Sequence, residues 1–185
     1  MSRIESFNRI HILGASGSGT TSLAKALCDV LPHHHFDSDD YLWKIKFTET
    51  HQKEKRLELL RDGLKNHDNW ILSGAIIDWG NPLMPLFDLV VFLSVPDNIR
   101  MERLCDREKK LYGDRILPGN DKYECYTEFI DWASRYEAGG TGVRSRKQQE
   151  LWMANLDCPI LRIEGDPTVE ESVARVLDYM QKSDK

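Results

Sequence analysis

No apolar stretch in this 185-residue chain approaches the ~20 residues that a bilayer-crossing helix needs. The first residues, Met1 to Asn8, are polar and lack the apolar centre of a secretory signal, so none is expected. The four cysteines, Cys28, Cys105, Cys125 and Cys158, form no C-x-x-C pair and have no zinc-ligand spacing. Free thiols in a reducing compartment are the expectation. Excess positive charge is missing as well, the formal net charge being −5. That balance argues against bulk electrostatic binding to nucleic acid or an anionic membrane, while leaving room for a local basic patch around a small anion. There is no internal repeat and no low-complexity segment. Together these absences predict a soluble, cytoplasmic enzyme or binding protein, built as a single domain over residues 1–185.

What is present alternates. Arg9 to Leu13 reads as a short strand, Thr20 to Leu31 as a helix, and His35 to Asp37 as a second strand. Lys53 to His67 reads as an amphipathic helix with Leu57, Leu60 and Leu64 on one stripe. Trp70 to Ser73 and Asp88 to Ser94 are strands, the latter nearly continuously apolar, as suits a parallel strand covered on both faces. A helix over about 97–110, a strand over Pro159 to Ile163 and a helix over about 168–181 complete the series. Such alternation predicts an α/β fold, with helices on both faces of a parallel sheet and ligands beyond the carboxyl ends of its strands. Residues 111–143, rich in Gly, Asp, Tyr and Glu, break the rhythm and read as a lid-like insertion or a surface decoration. His33, His34 and His35 mark a loop-to-strand transition, because adjacent residues of an extended chain point apart and chelate poorly.

The strongest local pattern runs Gly14-Ala15-Ser16-Gly17-Ser18-Gly19-Thr20-Thr21. Gly14, Gly19 and Thr21 fit the phosphate-loop spacing G-x-x-x-x-G-K-[S/T]. Glycines let successive backbone N–H groups turn inward, and the following helix adds its positive end. The Thr21 hydroxyl is the expected ligand for phosphate-bound Mg²⁺. Thr20 stands where the pattern has lysine, so it offers a hydroxyl and no charge. Lys25 lies well around the helix from it.

Two carboxylates follow the second strand. On an extended segment Asp37 and Asp39 would share a face. They could hold Mg²⁺ or orient and deprotonate an acceptor hydroxyl; the alternative is a helix N-cap cluster. Further on, Arg100, Arg103 and Arg107 share one helix face before the insertion, and Arg144 and Arg146 follow it. Arginines bracketing a mobile segment can close over phosphates; nearby acids leave a solvated ion-pair face as the alternative.

These residues carry a resemblance. The chain resembles the small-molecule and nucleoside-monophosphate kinase branch of the P-loop proteins over nearly its whole length. Phe36-Asp37-Ser38-Asp39 is similar to the D-x-D segment of shikimate kinases, where one Asp helps position Mg²⁺ and the other contacts the acceptor hydroxyl. Arg103-x-x-x-Arg107 looks like the start of the adenylate-kinase lid, and Arg144 and Arg146 occupy the post-lid positions. Gly165 sits where that family packs backbone against adenine. Closer still are uncharacterised bacterial adenylate-kinase-like ATPases whose loop also has threonine at the lysine position. The resemblance implies a three-layer αβα P-loop fold with a five-stranded parallel sheet in the order 2-3-1-4-5.

It also implies ATP and Mg²⁺, with Gly14, Ala15, Ser16, Gly17, Ser18, Gly19, Thr20, Thr21, Arg103, Arg107, Arg146 and Gly165 at the nucleotide. Thr21 and Asp37 would sit at the metal, and Asp39, Arg107 and Arg144 at the chemistry. One departure is Ser73-Gly74-Ala75-Ile76-Ile77 in place of the D-G-F-P-R segment of adenylate kinases; Asp78-Trp79-Gly80 is a candidate for shaping a different acceptor pocket. The leading expectation is an ATP-dependent phosphotransferase acting on a small acceptor such as a hydroxyl compound. A nucleotide-binding sensor without efficient turnover and a nucleoside monophosphate kinase stand as alternatives.

Overall fold

The computed structural model of the protein describes residues 7–45, 49–142 and 144–183. Val143, the expected last residue of the insertion, lies outside the described residues, as do residues 1–6, most of the polar opening segment.

Five strands form the central sheet: β1 (Arg9–Gly14), β2 (His34–Asp37), β5 (Trp70–Ser73), β6 (Leu89–Ser94) and β7 (Ile160–Glu164). Their order is β2-β5-β1-β6-β7 and every pairing is parallel. Two further short strands, β3 (Trp43–Ile45) and β4 (Glu49–Thr50), pair antiparallel outside that sheet. Counting sheet strands alone, the order is the expected 2-3-1-4-5.

Side chains alternate across each strand, so one apolar run serves two cores. Ile10, Ile12, Val91 and Leu93 face one layer, where Leu23 and Leu27 of helix α1 (Thr20–Cys28) meet Val176 and Met180 of α7 (Val169–Lys182). Leu13, Leu72, Val90 and Phe92 face the other. There Leu60 and Leu64 of α3 (Lys53–Leu64) and Trp152 and Met153 of α6 (Arg146–Met153) cover them. Each fully buried aliphatic or aromatic side chain contributes about 1.5–3 kcal/mol, so the two layers together hold the sheet between them. α7 begins with a capping box: the Glu171 N–H donates to Thr168 Oγ1, and the Thr168 N–H donates to Glu171 Oε2.

Three further α-helices complete the fold. α2 (Asp39–Leu42) is a single turn directly after β2. α4 (Asp97–Tyr112) follows β6, and α5 (Tyr123–Ser134) lies within the expected insertion. Among the described residues no helix is long and apolar enough to cross a membrane.

One polar residue is sealed in the second core. His11 in β1 is fully buried, donates from Nδ1 to the Leu72 carbonyl at 2.9 Å, and stacks on Phe87 at 5.0 Å. Burial lowers its pKa from 6.5 to about 4, against the opposing hydrogen bond to Leu72. The folded state therefore keeps His11 neutral where the unfolded chain takes up a proton. Its share of stability is full above pH 6.5 and is lost as pH falls from 6.5 towards 4. At about 1.4 kcal/mol per pKa unit this amounts to about 3 kcal/mol. We expect urea midpoints to drop between pH 7 and pH 4.5, and to drop less in His11→Gln. Equal pH dependence in the two proteins would show that another group titrates.

Candidate functional site

The glycine-rich loop joins β1 to α1 at the carboxyl end of the sheet. Gly17 has φ 84°, and a Cβ there would collide with the Arg100 carbonyl of α4. No residue with a side chain fits this close approach in the left-handed region. The loop is tied internally by the Ser18 N–H donating to the Ala15 carbonyl at 3.1 Å. Thr20 opens α1, so the first, unpaired N–H groups of the helix face the loop's concavity. These are the features an anion cradle requires.

Beside the cradle, the Thr21 hydroxyl donates to Asp37 Oδ2 at 2.8 Å. Two hard oxygen ligands, one at the start of α1 and one at the end of β2, suit Mg²⁺, which takes few protein ligands and completes its shell with phosphate and water. Among the described residues no cluster of three or more His, Cys, Asp or Glu could hold a metal. The three histidines scatter: His33 bonds the Phe7 carbonyl, His34 stacks on His67, and His35 bonds Ser73 Oγ.

Asp37 and Asp39 do come together, though not by sharing a strand face. The strand ends at Asp37 and the chain turns, so the Asp39 N–H donates to Asp37 Oδ1 at 3.0 Å. Asp37 thus accepts with both oxygens, from the N–H of Asp39 at the first residue of α2 and from the Thr21 hydroxyl. Asp39 lines a cavity of about 180 Å³. The residue as a whole is exposed, although protein packs closely around its carboxyl group. Desolvation, then the charge of Asp37, push its pKa above the ordinary carboxylate range, with Arg144 and Arg107 pulling against them.

The rest of that cavity is amphipathic. Arg56, Arg144 and Gln148 supply polar groups, and Leu42, Ala75, Ile77 and Trp79 an apolar wall. Burial pushes Arg144 below the usual guanidinium range, opposed chiefly by Asp39, and its side chain lies over the Trp132 ring at 5.4 Å. Gly74, with φ 95°, packs behind the lining residue Ser38, so near that a Cβ would strike the Ser38 hydroxyl. Asp78, with φ 77°, directly precedes the wall residue Trp79. The Asp78 N–H donates to Asn81 Oδ1, which also accepts from Trp152 Nε1 at 2.8 Å.

The arginines expected to act as one group divide. Arg107 is exposed, bonded to Glu108, 5.7 Å from the Phe129 ring centre and near enough to Asp39 to affect its charge. Arg144 lines the cavity with Asp39, whereas Arg107 does not line it and only its charge is felt there. Arg103 pairs with Asp166, the residue after Gly165. Arg146 and Gly165 line a second cavity of about 380 Å³ with Ser94, Pro96 and Asp97. Arg100 is neither: it is fully buried, pairs with Asp97 and donates to the Ala133 carbonyl at 2.8 Å.

Sequence reasoning missed Arg56 as a cavity residue. A signal was available, because Lys53, Lys55 and Arg56 crowd the first turn of α3, where the helix dipole disfavours cations. Gln148, Gln149 and Tyr136 were also missed.

No known protein-family model matches the chain. The uncharacterized protein YqaC of Bacillus subtilis (strain 168) is 51% identical over 174 residues, spanning 94% of this chain and 98% of that protein. This chain belongs to the YqaC family. A cytidylate kinase of Haloarcula marismortui is 21% identical over 140 residues, 66% of this chain and 72% of that one. Among solved structures, the YqaC-family chain is similar to a shikimate kinase from Acinetobacter baumannii in complex with shikimate. The TM-score is 0.57 at 16% identity, covering 97% of this chain and 96% of that one. A gluconokinase from Sinorhizobium meliloti 1021 gives a TM-score of 0.57 at 12% identity, with coverages of 96% and 94%. At these identities the likeness establishes the fold: the three-layer P-loop kinase architecture with its five-stranded parallel sheet.

Proposed function

We propose that the protein transfers the terminal phosphoryl group of ATP to a hydroxyl of a small, anionic acceptor. One observation carries this reading: Thr21, Asp37 and Asp39 form a hydrogen-bonded chain from the phosphate loop into a cavity that also holds Arg56 and Arg144.

In this reading the loop from Gly14 to Thr21, including Ala15, Ser16, Ser18 and Thr20, binds the β- and γ-phosphates through its backbone N–H groups. Thr21 and Asp37 would hold Mg²⁺, which when bound neutralises phosphate charge. Asp39 accepts the acceptor's hydroxyl proton as the new P–O bond forms and the bond to the leaving ADP oxygen breaks. Arg107 and Arg144 face the transferred group, offsetting the charge that Thr20 does not supply. Arg103, Arg146 and Gly165 serve the nucleoside end. Arg56 pairs with an anionic substituent of the acceptor, and Trp79 and Ile77 pack against its carbon frame. A cavity of about 180 Å³ lies below the ~300 Å³ of ordinary ligand pockets, which favours a compact acceptor. Residues 111–143 act as the lid. Hydroxy acids are the first acceptors to try, since similar folds belong to a shikimate kinase and a gluconokinase.

Thr20 favours a second reading, a sensor that binds nucleotide without turning it over. The assay that separates them supplies ATP and Mg²⁺ with a panel of hydroxy acids and nucleoside monophosphates, following ADP release and label transfer. ADP release that depends on a hydroxy acid is the expected result. Tight ATP binding with no turnover on any acceptor retires the kinase. Transfer to CMP or AMP moves the protein to the nucleotide kinases.

A further inference from the structure

Gln149 is a buried polar side chain that the proposed chemistry does not use. It lies on α6, is fully buried, and donates from Nε2 to the carbonyl of Gly14 at 3.1 Å. Its Oε1 accepts from the Tyr136 hydroxyl. That hydroxyl fixes the amide's direction, because an oxygen bonded to an O–H donor leaves only the NH₂ to face Gly14. The Tyr136 ring in turn lies 5.1 Å from the Arg100 guanidinium, and the Arg100 backbone carbonyl is what fills the space behind Gly17. One buried network therefore touches the glycine-rich loop at both its first glycine and its middle one. The same helix carries the base of Arg144: Ser145 caps α6 by accepting from the Gln148 N–H at 3.1 Å, and Arg144 is the residue before it.

A glutamine sealed in a protein interior is costly unless both ends of its amide are bonded. A leucine would fill this space and leave the Gly14 carbonyl without its partner. We propose that Gln149 is a positioning residue: with Tyr136 it latches the phosphate loop to the helix behind Arg144, so that loop shape and arginine placement are set together before any ligand arrives. The consequence for nucleotide affinity rests on the phosphate-loop reading above; the latch itself does not.

The test uses Gln149→Glu, which keeps size and the acceptor for Tyr136 but removes the donor to Gly14. Its companion is Tyr136→Phe, which keeps the ring beside Arg100 and removes only the hydroxyl. Hydrogen exchange of the peptide spanning residues 14–21 is read without nucleotide, beside that of β5 and β6. ATP affinity is read by calorimetry. We expect loop amides to exchange about tenfold faster in both variants with the strands unchanged. ATP affinity should fall about tenfold, or about 1.4 kcal/mol, with the rise in KM falling on ATP and not on the acceptor. A lowered melting temperature with uniform exchange and unchanged ATP affinity would reduce Gln149 to a packing residue and overturn the proposal. Faster loop exchange in a protein that binds no ATP would uphold the latch and remove the nucleotide reading instead.

Discussion

Replacing Asp39 with asparagine is expected to lower kcat by roughly 10²–10⁴, the range that loss of a positioned general base produces. Affinity for ATP should change little, because Asp39 lies on the acceptor side of Asp37, beyond the Thr21 contact. The pH profile sharpens the test. Desolvation and Asp37 raise the Asp39 pKa above the ordinary carboxylate value. The active form is the carboxylate, so the rate falls as pH drops through that raised pKa. In the asparagine variant this acid limb disappears and the residual rate is flat. Stability should move the other way. A carboxyl whose folded-state pKa is raised costs stability when ionised, so the variant should melt no lower than the parent. A variant that melts early, or one that keeps its acid limb, would remove Asp39 from the base role.

That experiment depends on a residue whose position was legible for an incomplete reason. The D-x-D spacing pointed to Asp37 and Asp39 as neighbours on one strand face. Their contact comes instead from a turn, with the Asp39 N–H on the Asp37 carboxylate. The fold was easier to read, because Leu89–Ser94 and Trp70–Ser73 are apolar enough to leave no other role. Helix ends were less legible. α1 stops at Cys28, before the expected Leu31, as the Val30 and Leu31 N–H groups both fold back on the Leu27 carbonyl and Val30 turns to solvent. The β3–β4 pairing is too short to show alternation. Gln149 was beyond reach for a different reason: its partner, Gly14, lies 135 residues away, and nothing near Gln149 in sequence marks the contact. The arginines show the same limit. Helical spacing put Arg100, Arg103 and Arg107 together, whereas the fold buries the first, pairs the second with Asp166 and leaves the third exposed and paired with Glu108.

The division of the arginines leads to the second large effect. If Thr20 leaves the phosphates short of charge, Arg144 is the best-placed compensator, being half-buried and lining the same cavity as Asp39. Arg144→Met is expected to cost roughly 10²–10³ in kcat/KM, the loss seen when one preorganised donor is removed from a site of developing charge. Methionine keeps much of the stem that packs near Trp132, so folding should survive. Thr20→Lys alone should change the rate little, because a second cation beside a satisfied site adds mainly repulsion. Combined with Arg144→Met it should recover part of the lost activity, since a lysine at the first position of α1 can reach the phosphates from the loop side. The double-mutant cycle therefore carries the information: a positive coupling between residues 20 and 144 means that the two supply the same charge. Strict additivity would mean that Arg144 serves the acceptor alone. The missing lysine would then be compensated by Arg107, whose substitution becomes the next arm of the same cycle.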